Sequence, residues 1–193
     1  MSENGIQQPI VPPSRKYQTY KLMLILGIVS IIMFFAGLTS AYIVQRGTKE
    51  WLSYSLPLIF WINTIVILIS SATLHYGYRA FKIGHYSLAE GLVWLTFALG
   101  TLFLIGQWVG WLQLTAQGVI LQGTVSESFF YIISGAHAVH VLGGLGALLW
   151  LALAIRKRKV TLREVLPYQL VSIYWHFVDI LWLYLFVFFL ITL

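Results

Sequence analysis

The chain has 193 residues, of which 59% are hydrophobic and only 9% are charged, and its formal net charge is +6. Soluble domains carry about a quarter charged residues, so this composition excludes an ordinary soluble domain and indicates a protein whose solvent is lipid. The sequence contains no cysteine, which excludes disulfides and thiolate-bound metals. Its basic residues lie in short clusters between apolar segments, a pattern that sets membrane orientation, and nucleic-acid binding is therefore not expected.

Five segments are long and apolar enough to cross the hydrocarbon core of a membrane, which needs about 20 residues of helix. A polar, proline-containing stretch precedes them, and we interpret residues 1–20 as a flexible cytoplasmic tail that is not a signal peptide. Residues 21–193 are predicted to form one all-α transmembrane domain, a five-helix bundle with short connections. Its helices are predicted at about 22–44, 56–78, 88–114, 129–155 and 167–192.

The basic residues are distributed unevenly between alternate connections. The tail, the second loop and the fourth loop together hold ten Lys and Arg residues, whereas the first loop holds Arg46 and Lys49 alone. Loops rich in Lys and Arg remain in the cytoplasm. We therefore predict a cytoplasmic N-terminus and a C-terminus on the opposite side of the membrane.

Small residues recur on one face of two predicted helices. Small side chains allow helix backbones to approach closely, and lipid supplies no hydrophobic force for such contacts. In each helix the small residues recur at intervals that place them on one face. We predict that each of these faces packs against a neighbouring helix, and we call each one a packing seam. The stripes are Gly27, Ser30, Gly37 and Ala41 in the first helix and His137, His140, Gly144 and Ala147 in the fourth.

Few ionisable side chains lie at membrane depth. Asp179 and His176 are three residues apart in the fifth helix, and His137 and His140 are three apart in the fourth, so each pair shares a helix face. Asp179 and His140 also fall at similar predicted depth, at about 1.5 Å of rise per residue. We predict that Asp179 is buried and hydrogen-bonded to His140, to His176 or to the indole of Trp175.

Three interpretations of these histidines remain open from the residues alone. They are structural groups that tie the fourth and fifth helices together, or they are ligands of a haem held between two helices. In the third interpretation His137, His140 and Asp179 bind a metal ion. A proton pathway formed by this chain alone is not indicated, because the ionisable groups form no ladder across the bilayer.

The fourth and fifth helices carry two segments that resemble the cytochrome c oxidase subunit III family. Phe130-Tyr131 and the run from Gly135 to Gly143 resemble the family's aromatic residues followed by G-x-H-x-x-H. The segment 174–182 resembles its Y-W-H-F-V-D-x-x-W signature. Weaker similarity in the first three helices extends the resemblance from about residue 20 to the end. Those weaker segments are Phe35-Ala36-Gly37-Leu38 with Ala41-Tyr42, Ser70-Ser71-Ala72-Thr73-Leu74-His75, and Leu99-Gly100-Thr101-Leu102-Phe103.

The resemblance implies the short, five-helix bacterial type of this family, a multi-pass protein of the inner membrane. Such a chain is an accessory, non-catalytic subunit of a terminal haem-copper oxidase, which reduces dioxygen to water with proton translocation. Haem and copper are then expected in partner subunits, among them the catalytic subunit I, and bound phospholipid is expected here. By the same resemblance, the intramembrane polar residues are structural and hold no metal. They are His137, His140, His176, Asp179 and Trp175.

One position departs from the family pattern. Members commonly have a glutamate directly after a serine in the helix that corresponds to the first one here, but Ser30 is followed by Ile31. The role of that carboxylate is therefore not carried over to this chain.

Other functions are compatible with the same residues. Relatives of subunit III also occur in quinol oxidases and beside nitric oxide reductases, and the quoted motifs do not identify the electron donor. A haem-bearing electron-transfer subunit and a small transporter are the alternatives from other classes. A Soret band of the isolated chain would indicate the former, and substrate flux in liposomes the latter.

Basic residues at the predicted cytoplasmic surface are candidates for contact with anionic lipid head groups. Their presence is equally well explained by the orientation that they impose on the chain. The candidates are Arg79, Lys82, Arg156, Lys157, Arg158 and Lys159.

Overall fold

A computed structural model describes residues 15–46, 56–119, 125–157, 159–160 and 165–192. Within these ranges all regular structure is helical. Each of the five helices is long and apolar enough to cross a membrane, which confirms the predicted all-α architecture with five spans. The helices are α1 (Arg15–Arg46), α2 (Leu58–Lys82), α3 (Tyr86–Ala116), α4 (Val125–Arg156) and α5 (Leu166–Thr192).

Several helices extend beyond the apolar segments that predicted them. α1 begins at Arg15 rather than near Leu22, and α4 begins at Val125 rather than near Phe129. The added turns contain Lys, Arg, Gln, Glu and Tyr, most of which cost little in a helix and can extend their polar ends from the membrane surface into water. Of the tail predicted at 1–20, residues 1–14 lie outside the described ranges.

Helices α2 to α5 form a closed ring in which each helix contacts the next and α5 also contacts α2. The contact between α2 and α3 is the most extensive of these. α1 lies outside the ring and contacts α4 and α5. The four helices of the ring therefore form the core of the protein, and α1 is a peripheral element.

A tight turn explains the extensive contact between α2 and α3. Gly84 adopts a left-handed conformation with φ of 84°, which a residue without a β-carbon adopts at little cost. The Gly84 amide donates to the Phe81 carbonyl at 3.1 Å, and the His85 amide donates to Ala80 at 3.0 Å. These two bonds define a Schellman motif, which ends α2 and directs α3 back along it.

Glycines on α3 allow α2 to approach closely. A β-carbon on Gly106 would lie 2.0 Å from the Asn63 side-chain oxygen, and one on Gly110 would lie 2.7 Å from the Phe60 ring. A larger residue at either position would have to displace the side chains of α2 that occupy this space. Small residues at a helix contact thus act here as expected in a membrane bundle.

The two predicted packing seams have different outcomes. In α4, His137 and Gly144 are buried, and a β-carbon on Gly144 would lie 2.9 Å from the Trp175 ring, so this seam is confirmed.

The seam predicted in α1 is wrong, because all four of its small residues are exposed and a β-carbon on Gly27 or Gly37 would meet nothing within 4 Å. The opposite, larger side chains of Phe35, Thr39 and Tyr42 are buried instead. Periodicity showed that the small residues share a face, but it did not show whether a neighbouring helix covers that face.

One end of the bundle brings together three helix termini. Gln169 near the start of α5 accepts a hydrogen bond from Tyr17 of α1 and donates one to the Tyr78 hydroxyl of α2 at 2.7 Å. We call this end the basic end, because the exposed residues Arg79, Lys82, Arg156 and Lys157 lie at the adjoining termini of α2 and α4.

Candidate functional site

Trp175 of α5 connects all four helices of the ring. Its side chain is fully buried, and its indole N–H donates to the Ser70 hydroxyl of α2 at 3.1 Å. The ring fills the space left by Gly100 of α3 and Gly144 of α4, where added β-carbons would lie 2.6 and 2.9 Å from it. Trp175 is thus held by one hydrogen bond and by two positions that only glycine allows.

His137 of α4 is completely buried beside a second tryptophan. Its ring centroid lies 5.2 Å from that of Trp182 and 6.0 Å from that of Phe103. Trp182 in turn donates its indole N–H to the Thr64 hydroxyl at 3.1 Å. Within the described residues neither ring nitrogen of His137 has a hydrogen-bond partner, and both are inaccessible from outside. The imidazole therefore packs as an aromatic core group.

His140 lies one turn further along α4 and faces α1. Its Nδ1 donates to the Ala136 carbonyl at 2.7 Å, and its ring centroid is 5.6 Å from that of Phe35. The Tyr174 hydroxyl of α5 donates to the backbone carbonyl of His140 at 3.1 Å. This turn of α4 consequently contacts both α1 and α5.

Asp179 is buried, with 2% of its surface exposed, as predicted. The predicted hydrogen bond is wrong, because neither carboxyl oxygen has a partner among the described residues. Ser71 of α2 lies beside the carboxyl group, but by distance and angle its hydroxyl pairs with His176 Nδ1 at 2.6 Å.

Each of the expected partners of Asp179 forms its hydrogen bond with another group. His140 uses a carbonyl of its own helix, and His176 and Trp175 use the two serines of α2. Sequence spacing showed that Asp179 and His176 share one face of α5. It could not show that α2 packs beside these residues and places Ser70 and Ser71 within hydrogen-bonding distance of Trp175 and His176.

α2 also places a histidine next to His176. The ring centroids of His75 and His176 are 6.3 Å apart, and His75 is exposed whereas His176 is half-buried. Across the described part of the chain, however, no three His, Cys, Asp or Glu side chains come together in an arrangement that could hold a metal ion. His137, His140 and Asp179, the set considered for a metal, therefore do not form such a group.

Two buried amides accompany the ionisable groups and were not predicted from the sequence. Asn63 of α2 is 2% exposed and donates to the Phe103 carbonyl at 3.3 Å. Gln107 of α3 is 1% exposed, and neither atom of its carboxamide has a partner within the described ranges. Amides are rare in apolar spans, and polar groups inside a membrane are costly, so their presence was itself a signal.

The candidate lipid contacts are accessible where the structure describes them. Arg79, Lys82, Arg156, Lys157 and Lys159 are all exposed, and the Lys82 ammonium lies 4.5 Å from the centroid of the Tyr78 ring. Arg158 lies outside the described residues.

Comparison with known proteins gives one consistent match. The family model of cytochrome c oxidase subunit III matches residues 14–192. Cytochrome c oxidase subunit 3 of Corynebacterium diphtheriae is 35% identical over 164 residues, which cover 81% of this chain and 80% of that protein. The protein of the same name from Thermostichus vulcanus is 33% identical over 172 residues, which cover 86% and 83%. The chain therefore belongs to the cytochrome c oxidase subunit III family.

Proposed function

We propose that this chain is an accessory, non-catalytic subunit of a bacterial haem-copper terminal oxidase, which reduces dioxygen to water and translocates protons. In this proposal the chain packs against the catalytic subunit I, stabilises it and provides lipid sites. The proposal rests on family membership and on one structural observation. The described intramembrane polar groups that have partners bond within the bundle: Trp175 to Ser70, Trp182 to Thr64, His176 to Ser71 and His140 to Ala136.

The same observation supports a structural role for the histidines. A haem ligand must present a ring nitrogen to the iron, whereas both nitrogens of His137 are enclosed by protein. We therefore assign haem and copper to partner subunits and no catalytic residue to this chain.

The lipid proposal draws on the basic end and on two crevices beside α1. A crevice of about 330 Å³ between α1, α4 and α5 is lined by Leu24, Ala147 and Leu170, the last of which lies one turn from the start of α5. A second, of about 420 Å³, lies between α1 and α5 beside Phe35 and Tyr184. Both are lined mainly by apolar side chains, which suits acyl chains.

Exposed basic side chains at the basic end favour anionic lipids. Arg156 is the last residue of α4, Lys157 follows it, and both are exposed. Basic residues near a membrane surface attract anionic head groups by about 1 kcal/mol each. This proposal places the basic end, and with it the N-terminus, at the cytoplasmic face of the inner membrane.

Purification in mild detergent tests the proposal. A tag on this chain should recover a large haem-copper subunit, identified by mass spectrometry and by its absorption spectrum, together with phospholipid. Deletion of the chain should shorten the working lifetime of the oxidase more than it reduces the initial assembly of its metals. A chain that is stable and alone in native membranes, or that shows a Soret band after isolation, contradicts the proposal.

A further inference from the structure

Four polar side chains follow one another along the contact between α2 and α5, and we call them the polar series. Ser71 and His75 are one turn apart on α2, and His176 and Asp179 are one turn apart on α5. The rings of His75 and His176 have centroids 6.3 Å apart. The Ser71 hydroxyl lies 2.6 Å from His176 Nδ1, and the carboxyl group of Asp179 lies beside Ser71. Each member of the polar series therefore adjoins the next.

The polar series leads inward from the basic end of the bundle. α2 ends at the basic end and α5 begins there. At about 1.5 Å of rise per residue, His75 lies about 10 Å and Ser71 about 16 Å from the end of α2. His176 and Asp179 lie about 15 and about 20 Å from the start of α5. Depth in the membrane thus increases from His75 to Asp179.

The polar series is exposed at its outer end and buried at its inner end. His75 is exposed, whereas His176 and Ser71 are half-buried. Asp179 has 2% of its surface exposed, and by geometry neither of its carboxyl oxygens is hydrogen-bonded to a described residue. An unpaired carboxylate inside a membrane is costly. A carboxyl group in this position exchanges its proton with water only through side chains that both accept and donate protons.

The intermediate members have this capacity. A hydroxyl has one donor hydrogen and two acceptor sites, and the two nitrogens of an imidazole exchange donor and acceptor roles. A proton taken up by His75 passes to Nε2 of His176 after rotation of the exposed ring or through one water. The Nδ1 proton of His176 moves to the Ser71 oxygen. The Ser71 hydroxyl proton moves to the Asp179 carboxylate, which becomes a carboxylic acid, and the reverse sequence releases it.

We infer that the polar series is a proton route from the basic end to Asp179. Chains of acidic and histidine side chains carry protons inside membrane proteins in this way. The route enters the membrane but does not cross it, because α3 has no acidic or basic residue beyond Glu90 and α1 has none between Lys21 and Arg46. The inference goes beyond the proposed function and does not depend on it, since all four side chains belong to this chain. Only the cytoplasmic location of the basic end is taken from that proposal.

Two histidines of α4 lie near this depth but outside the polar series. His137 packs against Trp182, one turn from Asp179, and has no hydrogen bond to a described residue. His140 is bonded to the Ala136 carbonyl of its own helix. No described contact links either histidine to the polar series, so His137 serves as a comparison in the test.

Infrared spectroscopy of the full chain in phospholipid vesicles tests the route. The carboxylic-acid band of Asp179 is assigned by its disappearance in Asp179→Asn, and its shift after transfer from H2O to D2O measures proton exchange. Ser71→Ala should slow this exchange several-fold, whereas Ser71→Thr, which keeps the hydroxyl, should preserve it. Ser70→Ala is the matched control, because the adjacent serine bonds to Trp175 instead, and it should exchange at the wild-type rate.

Histidine substitutions test the outer half of the route. His176→Phe and His75→Gln should each slow the exchange several-fold, and His137→Phe should not. A destabilised bundle opens to water and exchanges faster, so slower exchange cannot result from unfolding.

Three results overturn the inference. They are equal exchange rates in Ser71→Ala and Ser70→Ala, slowing by His137→Phe alone, and the absence of any band that is lost in Asp179→Asn. Failure of the chain to co-purify with a haem-copper subunit would instead contradict the proposed function and leave the proton route intact.

Discussion

A β-carbon added to Gly100 of α3 would lie 2.6 Å from Cη2 of Trp175 on α5. The indole is fully buried, and its N–H donates to the Ser70 hydroxyl, which holds the ring in this position. The α3–α5 contact is thus fixed by the absence of one side chain and the presence of another.

This contact predicts the effect of filling it. Gly100→Ala should lower the free energy of unfolding by about 1–3 kcal/mol, the usual cost of an overpacked core, although alanine is the better helix former. Thermal unfolding of the chain in detergent measures the change. Gly27→Ala, where the β-carbon meets nothing within 4 Å, should be neutral or stabilising; equal losses at both glycines would contradict the packing argument.

The hydrogen bond between Trp175 and Ser70 should be measurable by a double-mutant cycle. Ser70→Ala and Trp175→Phe are each expected to destabilise the chain, with a coupling energy of about 0.5–1.5 kcal/mol, as for other hydrogen bonds between membrane helices. The analogous cycle of Thr64→Val with Trp182→Phe, built on a bond of equal length, is the internal comparison. Strict additivity in both cycles would show that these bonds contribute no stability.

Asp179→Asn should change the stability of the chain by less than about 1 kcal/mol. By geometry the carboxyl oxygens accept no hydrogen bond from the described residues, and the hydroxyl of the neighbouring Ser71 pairs with His176. An amide of equal size is also cheaper to bury than a carboxylate. Urea or thermal unfolding of the full chain is the measurement. A loss of several kcal/mol would indicate a partner for Asp179 that these contacts do not contain.

Gln169→Leu should loosen α1. It removes the hydrogen bonds from Tyr17 and to Tyr78, each worth about 0.5–1.5 kcal/mol, and within the described residues the backbone of α1 packs only against α4 and α5. Hydrogen exchange should accelerate in the first turns of α1 and remain slow in α3. Uniform acceleration throughout the bundle would instead indicate global destabilisation.

His137→Phe should preserve both the fold and the haem spectrum of the purified complex. The imidazole packs against Phe103 and Trp182 and has no hydrogen bond to any described residue. Replacing an unsatisfied buried polar ring by an apolar one is expected to be neutral or stabilising. Absorption spectroscopy and thermal unfolding together check this. Loss of a haem band with an intact fold would assign His137 a ligand role.

The number of spans and the main polar positions were accessible from the sequence because they follow from local chemistry. In lipid, the backbone N–H and C=O groups of a single long apolar segment can all be hydrogen-bonded only in a helix. Asp179 could be predicted as buried because a carboxyl group at mid-membrane avoids lipid. The stripe containing His137 and Gly144 was also correctly assigned to a packing surface. These predictions depend on residue type and spacing along a single helix.

The partners of those groups depended on the packing of different helices. Gly27 and Gly37 have the same spacing as a packing stripe, yet α1 turns its larger residues Phe35 and Tyr42 toward the bundle. Likewise His176 bonds to Ser71 rather than to Asp179, because α2 places a hydroxyl at the right depth, 105 positions away in the chain.

The sequence by itself determined that this chain is a five-span membrane protein with the motifs of its family, since the cost of unsatisfied backbone groups in lipid leaves helices as the only solution for such segments. The tertiary structure alone decided that α2 to α5 close into a ring with α1 outside, and that Gln107 is buried without a hydrogen-bond partner among the described residues. Those outcomes depend on which helix faces meet, and in lipid that choice is made by shape and hydrogen bonding between helices rather than by the hydrophobic pattern within each one.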